Sequence, residues 1–453
     1  MIFPDTIPAI DICKTNPEYH PEKIALHNAT YNGGKAFDSQ MDKILFKRES
    51  EEKNEKIYRM RKRRSKYINR VSGLLNLFRA SVFRVPPFVT AEPESEYWTE
   101  LNYNADGNGT SLPTVARDAL LSMVLHNRAY FLADFREREG QAAVDGSLDA
   151  RLQLLDASMV DDWSHDEFGA LVWVRLHTVT QTRTQDYLPP DKDVHRYIYI
   201  SDSDIVTYEL CVDIGSPPES SSKPAMKVDA SQHAFGRLPV FEIRAGEGQW
   251  MMEKLYPIVV QLFNRESAHT WQLDRQAFAQ LVLTLEGDER VDGIFSGETE
   301  AIILRPGESA GYTTPPESPS NSQLKDIERL TKSLYEVVNS LALTTQTQNA
   351  RQSAKAKELD RNPLEVLLRS FAHPILTALR AWVEAVKEYR GESNTEVSIA
   401  GMDVFMATMD DVKESIGLEV DDGRETGNQN GSEAEEADES GIKKASGGSY
   451  ETD

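Results

Sequence analysis

The clearest pattern in this chain is a helical repeat of apolar residues in its C-terminal half. Residues 320–343 carry six apolar side chains at steps of three or four, the spacing of one helix face: Leu324, Ile327, Leu330, Leu334, Val337 and Leu341. A second helical register occupies residues 251–280, and a third occupies residues 353–394, where Pro363 and Pro374 predict kinks or breaks. We therefore expect three long amphipathic helices.

The first 250 residues combine helical patterns with runs of β-branched and aromatic residues. Residues 36–84 show apolar positions at helical spacing, and the helix is expected to end at the prolines that follow. Five runs rich in Val, Ile, Thr and Tyr are typical of strands: residues 130–135, 171–184, 195–200, 205–214 and 238–243. These patterns predict an α+β fold for the N-terminal part.

Three further segments differ in composition from the helices around them. Residues 281–319 contain short apolar runs separated by glycine and proline, which predicts a small strand-and-turn module. Residues 344–352 form a polar interruption between two predicted helices, and residues 395–420 are a short segment after the last one. Residues 421–453 are acidic with almost no large apolar side chains, so we expect a disordered tail.

Charge and composition limit the class of protein. The 453 residues include 73 acids and 50 bases, a formal net charge of −23, and their 40% apolar content is sufficient for a core. Cys13 and Cys211 are the two cysteines, which excludes a disulfide framework and fits a reducing compartment. The start of the sequence lacks the pattern of a signal peptide, and no apolar stretch approaches the roughly 18 residues of a membrane span. We expect a soluble, intracellular protein without a membrane partner.

A basic cluster at residues 59–70 has two interpretations. The cluster could form a phosphate-binding face, because lysine and arginine release counterions when they contact phosphates. Alternatively, it could be a helix face whose bases pair with nearby acids such as Glu51, Glu52 and Glu55. In a protein this acidic, we favour the second interpretation.

One enzyme motif matches by its letters. Residues 307–311 read GESAG, the pattern of a hydrolase nucleophile elbow with Ser309 as the nucleophile. The elbow requires a helix directly after the serine, and Pro315 and Pro316 oppose one. The phosphate-binding glycine motifs are absent, and the nine histidines lack metal-ligand spacing. We expect no catalytic residue, metal or cofactor, and a serine hydrolase stays an alternative.

Four segments, taken in order, resemble portal proteins of tailed bacteriophages. They are residues 58–87, residues 262–287, residues 305–316 with 326–330, and residues 350–361. The resemblance covers roughly residues 40–415 and implies a ring, typically of twelve subunits, at one capsid vertex. DNA would be packaged and ejected through this head-to-tail connector.

The resemblance also implies a division of the chain into the parts of a portal subunit. In chain order these are the N-terminal region and α/β wing (1–250), the first stem helix (251–280), the clip (281–319), the second stem helix (320–343), the tunnel loop (344–352), the long wing helix (353–394), a short helical crown (395–420) and the acidic tail (421–453). The six apolar residues of 320–343 would then pack within the stem. Because one protomer hardly covers them, they would favour assembly of a ring.

The same resemblance implies which residues face DNA. They are Thr344, Thr345, Gln346, Thr347, Gln348, Asn349, Arg351 and Lys355. A polar loop in an acidic protein suits passage of double-stranded DNA without sequence readout, since many cation–phosphate contacts would hinder sliding. The implied partners are the terminase, a head–tail adaptor and the major capsid protein, in a virion assembled in the host cytoplasm. The alternative is a capsid-associated adaptor or minor head protein without a DNA channel.

Overall fold

The computed structural model describes residues 3–135, 149–183, 189–233, 235–276, 280–284, 309–313, 318–339, 354–392 and 394–400. The chain divides into a unit Met1–Met406 and a unit Ala407–Asp453. All described residues belong to the first unit. No helix among them is long and apolar enough to cross a bilayer.

The described residues form helices throughout the chain. In order, these are α1 (Ala9–Ile12), α2 (Pro21–Asn32), α3 (Gly34–Ile44), α4 (Glu49–Glu52), α5 (Glu55–Arg64), α6 (Val71–Val82), α7 (Glu96–Tyr103), α8 (Leu112–His126), α9 (Met251–Gln276), α10 (Ser318–Asn339) and α11 (Ala354–Tyr389).

The strands of the described residues fall into four antiparallel sheets. They are β1 (Thr6–Ile7), β2 (Phe88–Glu92), β3 (Arg128–Asp134), β4 (Arg151–Asp156), β5 (Val160–His165), β6 (Leu171–Thr182), β7 (Lys192–Ile200), β8 (Asp204–Asp213), β9 (Ala225–Gln232), β10 (Val240–Arg244), β11 (Gln280–Thr284), β12 (Ser309–Thr313) and β13 (Glu396–Ala400). The sheet orders are β1-β9-β8-β7-β6-β5, β10-β3-β4, β11-β12 and β13-β2. This mixture of helices and sheets confirms the α+β prediction.

The main core lies between helices and the three-stranded sheet. Helices α6, α8 and α11 and the first half of α9 bury their apolar faces here, and β3 supplies Phe131 from the sheet. Trp382 of α11 is fully buried, and Phe371 packs edge-on against Phe78 of α6 with 5.0 Å between ring centroids. The core therefore joins segments from both ends of the chain into one body.

The six-stranded sheet has its own apolar layer, which the N-terminal segment covers. Ala9 and Ile12 of α1 pack on Tyr197 and Tyr208 of the sheet. Beside this layer, Arg175 Nε donates a 2.7 Å hydrogen bond to Asp161 Oδ1, and both side chains are buried. A buried charge must be paired in this way, because leaving it alone is very unfavourable.

Residues 36–84 are largely helical, as their spacing predicts, but they do not form one continuous helix. The chain forms α3, α4, α5 and α6 instead, with extended backbone at Leu45 and Ser65. The physical reason is that α3 and α5 supply apolar side chains to the same core, which requires the chain to reverse between them. Apolar periodicity reports a helix face but does not report such a reversal.

The predicted crown, residues 395–420, begins as a strand and not as a helix. Strand β13 pairs antiparallel with β2, placing Val397 opposite Ala91 and Ile399 opposite Val89. Apolar and polar residues alternate at 396–400, which is a strand signal that the prediction of a helical crown did not take into account. Residues 401–420 and the acidic tail lie outside the described residues.

Two prolines expected to kink or break the last long helix do not break it. Helix α11 continues from Ala354 to Tyr389 through both Pro363 and Pro374. A proline removes one backbone hydrogen bond from a helix. At Pro374, burial of the neighbouring apolar residues offsets that loss. Ile375 and Leu379, just after Pro374, are fully buried.

The buried imidazole of His126 makes the stability of this body depend on pH. Burial is the main cause that lowers the pKa of His126 to about 4, against the opposing effect of Asp156. Unfolding returns the imidazole to a pKa of about 6.5. As pH falls from about 6.5 towards 4, the unfolded chain binds a proton that the folded chain does not, so stability decreases.

We therefore predict that His126→Gln flattens the pH dependence of the unfolding free energy between pH 7 and 5. The difference in slope from the wild type should approach about 1.4 kcal/mol per pH unit at most. Urea unfolding at several pH values measures it, with the exposed His373 replaced by glutamine as the control. Equal slopes for His126→Gln and the wild type would contradict the prediction.

Candidate functional site

Helix α9 is the element on which the candidate site is built. Its first half lies in the main core, where Met252 and Leu255 are fully buried. Val260 and Phe263 belong to a second core, formed with helices α3 and α5. Phe263 meets Phe37 of α3 edge-on with 5.0 Å between ring centroids. A helix with two buried faces is fixed in position along its first half.

A buried ion pair between α4 and α5 holds α9 from the second side. Arg61 Nε and Nη2 each donate a 2.7 Å hydrogen bond to the two carboxylate oxygens of Glu51. Both side chains are 2% exposed. Nη2 also donates to the carbonyl of Phe46 at 2.5 Å, and Nη1 donates to Ser267 Oγ of α9 at 3.3 Å. The guanidinium thereby links two short helices and a loop to α9.

The charge on Glu51 depends on this pairing. Burial alone would raise the pKa of Glu51, but the hydrogen bonds from Arg61 and from the Arg48 backbone outweigh burial, so the pKa is lowered. Ser65 Oγ lies 2.6 Å from Ser267 Oγ and extends the same polar contact to α9. A bidentate arginine–carboxylate pair with its remaining donors satisfied is the arrangement that tolerates burial.

Two further contacts fix the angle of α9. The Asn264 amide donates to the Ile44 carbonyl at 2.9 Å and accepts from the Phe46 backbone N–H at 3.0 Å. Arg70 pairs with Glu266 at 2.8 Å. Each contact joins α9 to the loop after α3 or to the segment before α6. The second half of α9 therefore leaves the body from a rigid base.

The basic cluster at residues 59–70 takes part in this anchoring. Arg61 pairs with Glu51, and Arg59 pairs with Glu55 at 3.1 Å. Other members of the cluster contact acidic or aromatic residues. Lys62 pairs with Asp42 at 2.6 Å, and the Arg64 guanidinium lies over the ring of Trp271. Pairing with Glu51 and Glu55 confirms the second interpretation of the cluster.

Helix α10 buries only part of the face that the sequence predicted. Leu330 and Leu334 are buried, and Leu334 joins the main core together with Val338, which the pattern did not include. Ile327 and Val337 are half-buried, and Leu324 is 41% exposed. Leu341 lies outside the described residues. Burial is therefore concentrated near the C-terminal end of α10, close to the body.

An ion pair joins α9 and α10, and both helices keep apolar side chains exposed. Arg265 Nε lies 3.0 Å from Asp326 Oδ2, which links the two helices. Leu273 of α9 is 47% exposed, and Tyr335 of α10 is 39% exposed. Together with Leu324, these residues are an apolar surface on the helix pair, which we call the outer apolar residues.

The residues implied to face DNA are mostly beyond what the structure describes. Thr344, Thr345, Gln346, Thr347, Gln348, Asn349 and Arg351 lie outside the described residues. Lys355 lies in the first turn of α11. The described part of α10 ends at Asn339 and that of α11 begins at Ala354, so the tunnel loop predicted at residues 344–352 stays a prediction.

Ser309 lies in a strand. It is the first residue of β12, and its Cα is paired with that of Thr284 in β11. The residues that follow it are extended as far as Thr313, whereas a nucleophile elbow turns into a helix at the serine. Within the ranges that the structure describes, no group of three or more His, Cys, Asp or Glu side chains could hold a metal ion.

Comparison with known proteins gives weak similarity to phage-like particles. No protein-family model and no curated protein matches the chain. A solved structure described as "Virion of native gene transfer agent (GTA) particle" is 13% identical, with 76% of this chain and 84% of that chain covered and a TM-score of 0.43. "Neck of empty GTA particle computed with C6 symmetry" is 12% identical, with coverage of 77% and 85% and a TM-score of 0.43.

A third structure, "Neck of native GTA particle computed with C12 symmetry", is also 12% identical. The similarity covers 76% of this chain and 84% of that chain, with a TM-score of 0.37.

The anchor of α9 gives a direct test. Glu51→Gln keeps the shape of the side chain but leaves the Arg61 charge buried without its counter-charge. We expect it to lower the unfolding free energy at neutral pH by about 3 kcal/mol. Urea unfolding at pH 7 measures the loss. The matched control is Glu55→Gln, which removes the exposed partner of Arg59 and should change stability by less than about 1 kcal/mol.

The same variants separate charge from packing. Because the folded-state pKa of Glu51 is lowered, its contribution is present above the ordinary carboxyl pKa and disappears as pH falls through the folded-state value. The gap between the wild type and Glu51→Gln should therefore close in acid. A gap that stays constant from pH 7 to pH 3 would contradict an ionic origin.

Proposed function

We propose that this chain is a portal protein, the subunit of a ring through which double-stranded DNA passes at one capsid vertex. One observation carries the proposal: α9, the β11–β12 pair, α10 and α11 follow one another in this order after an α+β body. This is the order of stem helix, clip, stem helix and long wing helix that the sequence resemblance implies. In the proposed ring, the polar segment 344–352 of the sequence would contact DNA.

The outer apolar residues support assembly into a ring. Leu273, Leu324 and Tyr335 lie on a helix pair whose inner face is already covered by the body. Scattered exposed apolar residues are common, but these three lie on the two helices that would form the stem. Contact with the same helices of a neighbouring subunit would bury them.

The charge distribution supports a sliding contact with DNA. Several Lys and Arg side chains near α9 contact acids of the same chain, and the sequence carries a net charge of −23. Unpaired Lys or Arg side chains would be repeated in every subunit of the ring. Together they would bind the DNA phosphates and hinder sliding. A polar loop with few cations makes weak contacts that do not depend on sequence.

The proposed function implies definite partners and a location. The ring would dock the terminase during genome packaging, then a head–tail adaptor, and would contact the major capsid protein. It would assemble in the host cytoplasm, typically with twelve subunits, and remain in the virion for genome retention and ejection. In this function the chain binds no cofactor and catalyses no reaction.

Negative-stain electron microscopy of the purified full-length chain tests the proposal. We expect annular particles with an axial hole, and light scattering should give a mass many times the 51.0 kDa of one chain. Particles without an axial hole would favour the adaptor or minor head protein. A species of one chain's mass at every salt concentration would refute ring formation.

The outer apolar residues give a second test. We expect the double variant Leu324→Gln/Tyr335→Gln to form at least tenfold fewer rings at equal concentration, since each interface loses about 1–2 kcal/mol of apolar burial. Size-exclusion chromatography with light scattering measures the ring fraction. The protomer should keep its stability, because both side chains are already exposed.

The matched control is Lys325→Gln/Glu336→Gln, at exposed neighbouring positions of α10. It should assemble like the wild type. Normal ring formation by the apolar double variant would remove these residues from the interface. Loss of stability in the protomer, seen by urea unfolding, would instead show that the two side chains belong to the fold.

A further inference from the structure

A cavity of about 200 Å³ is lined by residues of the body that precede α9 in the chain. Its lining comes from the first turn of α2, the junction of α8 and β3, strand β5 and the end of β10. Aromatic side chains supply much of the wall, including Trp163 and Trp250. The proposed function does not use this cavity.

Arg128 is the buried cation of the cavity. Its side chain is 9% exposed, and its guanidinium carbon lies 4.3 Å from the ring centroid of Trp163. Nη2 donates to the Glu18 carboxylate, and Nε lies 3.6 Å from Glu242 Oε1. Nη1 is buried and has no hydrogen-bond partner. A buried charged donor without an acceptor is unfavourable and is usually satisfied by a ligand or water.

A second arginine lies directly beside the first. The register of β3 and β10 pairs the Cα of Arg128 with that of Arg244. Like charges directly opposite each other on antiparallel strands are destabilising. The Glu18 carboxylate, 4.0 Å from Arg244 Nη2 and bonded to Arg128, supplies a negative charge to both. Glu18 therefore reduces the repulsion between the two arginines.

Glu18 is a weakly held occupant of the position between the two arginines. Its side chain is 61% exposed, and it lies on a turn whose backbone N–H bonds to Asn16 Oδ1 at 2.9 Å. A carboxylate offers two oxygens, and Arg128 Nη1 stays unpaired in its presence. An oxyanion with more acceptors that enters the cavity could take the place of Glu18 on Arg128.

Two other groups favour an anion here. Helix α2, of 12 residues, begins at the cavity, and its N-cap His20 makes no side-chain capping bond, so the first-turn N–H groups contribute positive potential. Lys23 stands over the ring of Trp250, with its Nζ 2.8 Å from Glu253. Glu253 and Glu242 offset part of the positive charge of the cavity. An anion that binds there must therefore replace the Glu18 carboxylate, because the remaining positive charge is too small to hold both.

We propose that this cavity binds the phosphate group of a small molecule, which replaces the Glu18 carboxylate between Arg128 and Arg244. A tetrahedral phosphate offers one acceptor each to Arg128 Nη1, to Arg244 and to the α2 N-terminus, and arginine matches phosphate geometry well. The volume is below the roughly 300–1,000 Å³ of drug-sized ligand pockets. The ligand is therefore inorganic phosphate or a small phosphate monoester.

Titration of the full-length protein tests the site. Inorganic phosphate and glycerol phosphate are the titrants, and chloride keeps the ionic strength constant. Tryptophan fluorescence and calorimetry measure their binding. Succinate is the carboxylate comparison. We expect saturable binding of one phosphate per chain, and weaker binding of succinate.

Two variants on opposite sides of the exchange make the test specific. Glu18→Gln removes the competing carboxylate and should tighten phosphate binding about tenfold, whereas Arg244→Gln removes a donor and should weaken it about tenfold. The matched control is Arg196→Gln, on the exposed Arg196–Glu209 pair of β7 and β8, which should leave the affinity unchanged. Both test side chains are more than half exposed, so the fold should be retained.

The results that overturn the proposal are distinct. Absence of saturable phosphate binding in both the wild type and Glu18→Gln would refute the site. Equal weakening by Arg244→Gln and by the Arg196→Gln control would show nonspecific ion binding. Succinate binding as tightly as phosphate would show a general carboxylate site. None of these results depends on whether rings form.

Discussion

Two opposite charges removed from water together constrain one side of this structure. Water hardly reaches the Arg61 and Glu51 side chains. Each buried N–H group of the guanidinium therefore needs an acceptor within the protein. The acceptors come from both Glu51 oxygens, the Phe46 carbonyl and Ser267 of α9. If α4, α5 or α9 shifted relative to the other two, a buried charge would lose its partner. The three helices therefore keep one arrangement.

This constraint fixes the orientation of α9 and of the α10 helix that packs on it. Its first half is buried on two faces, and its second half packs on α10 through an exposed ion pair between Arg265 and Asp326. Exposed ion pairs contribute little to stability. The direction of the α9–α10 pair is therefore set by the buried base, and neighbouring subunits in the proposed ring would need only to cover the outer apolar residues.

The sequence was informative where a pattern is local. Apolar periodicity located α10, and β-branched runs located β3, β6, β7, β8 and β10. It was less informative where a partner distant in sequence completes the structure: residues 396–400 alternate as a strand does, but their partner β2 cannot be identified from that pattern. The pairing includes a 2.8 Å contact between the hydroxyl oxygens of Thr90 and Ser398. The reversals between α3 and α6 have the same cause, since Glu51 meets Arg61 only after the chain turns.

The cavity on the body could not have been found from spacing, because its charged residues come from three separate segments. Arg128 and Arg244 become neighbours only through the register of β3 with β10, and Glu18 reaches them from the turn before α2. Two arginines side by side repel each other, and burial of Arg128 strengthens the repulsion by excluding water. A carboxylate close to both arginines reduces this repulsion. Glu18 supplies that carboxylate from an exposed position, so the fold keeps the site occupied while leaving the occupant exchangeable.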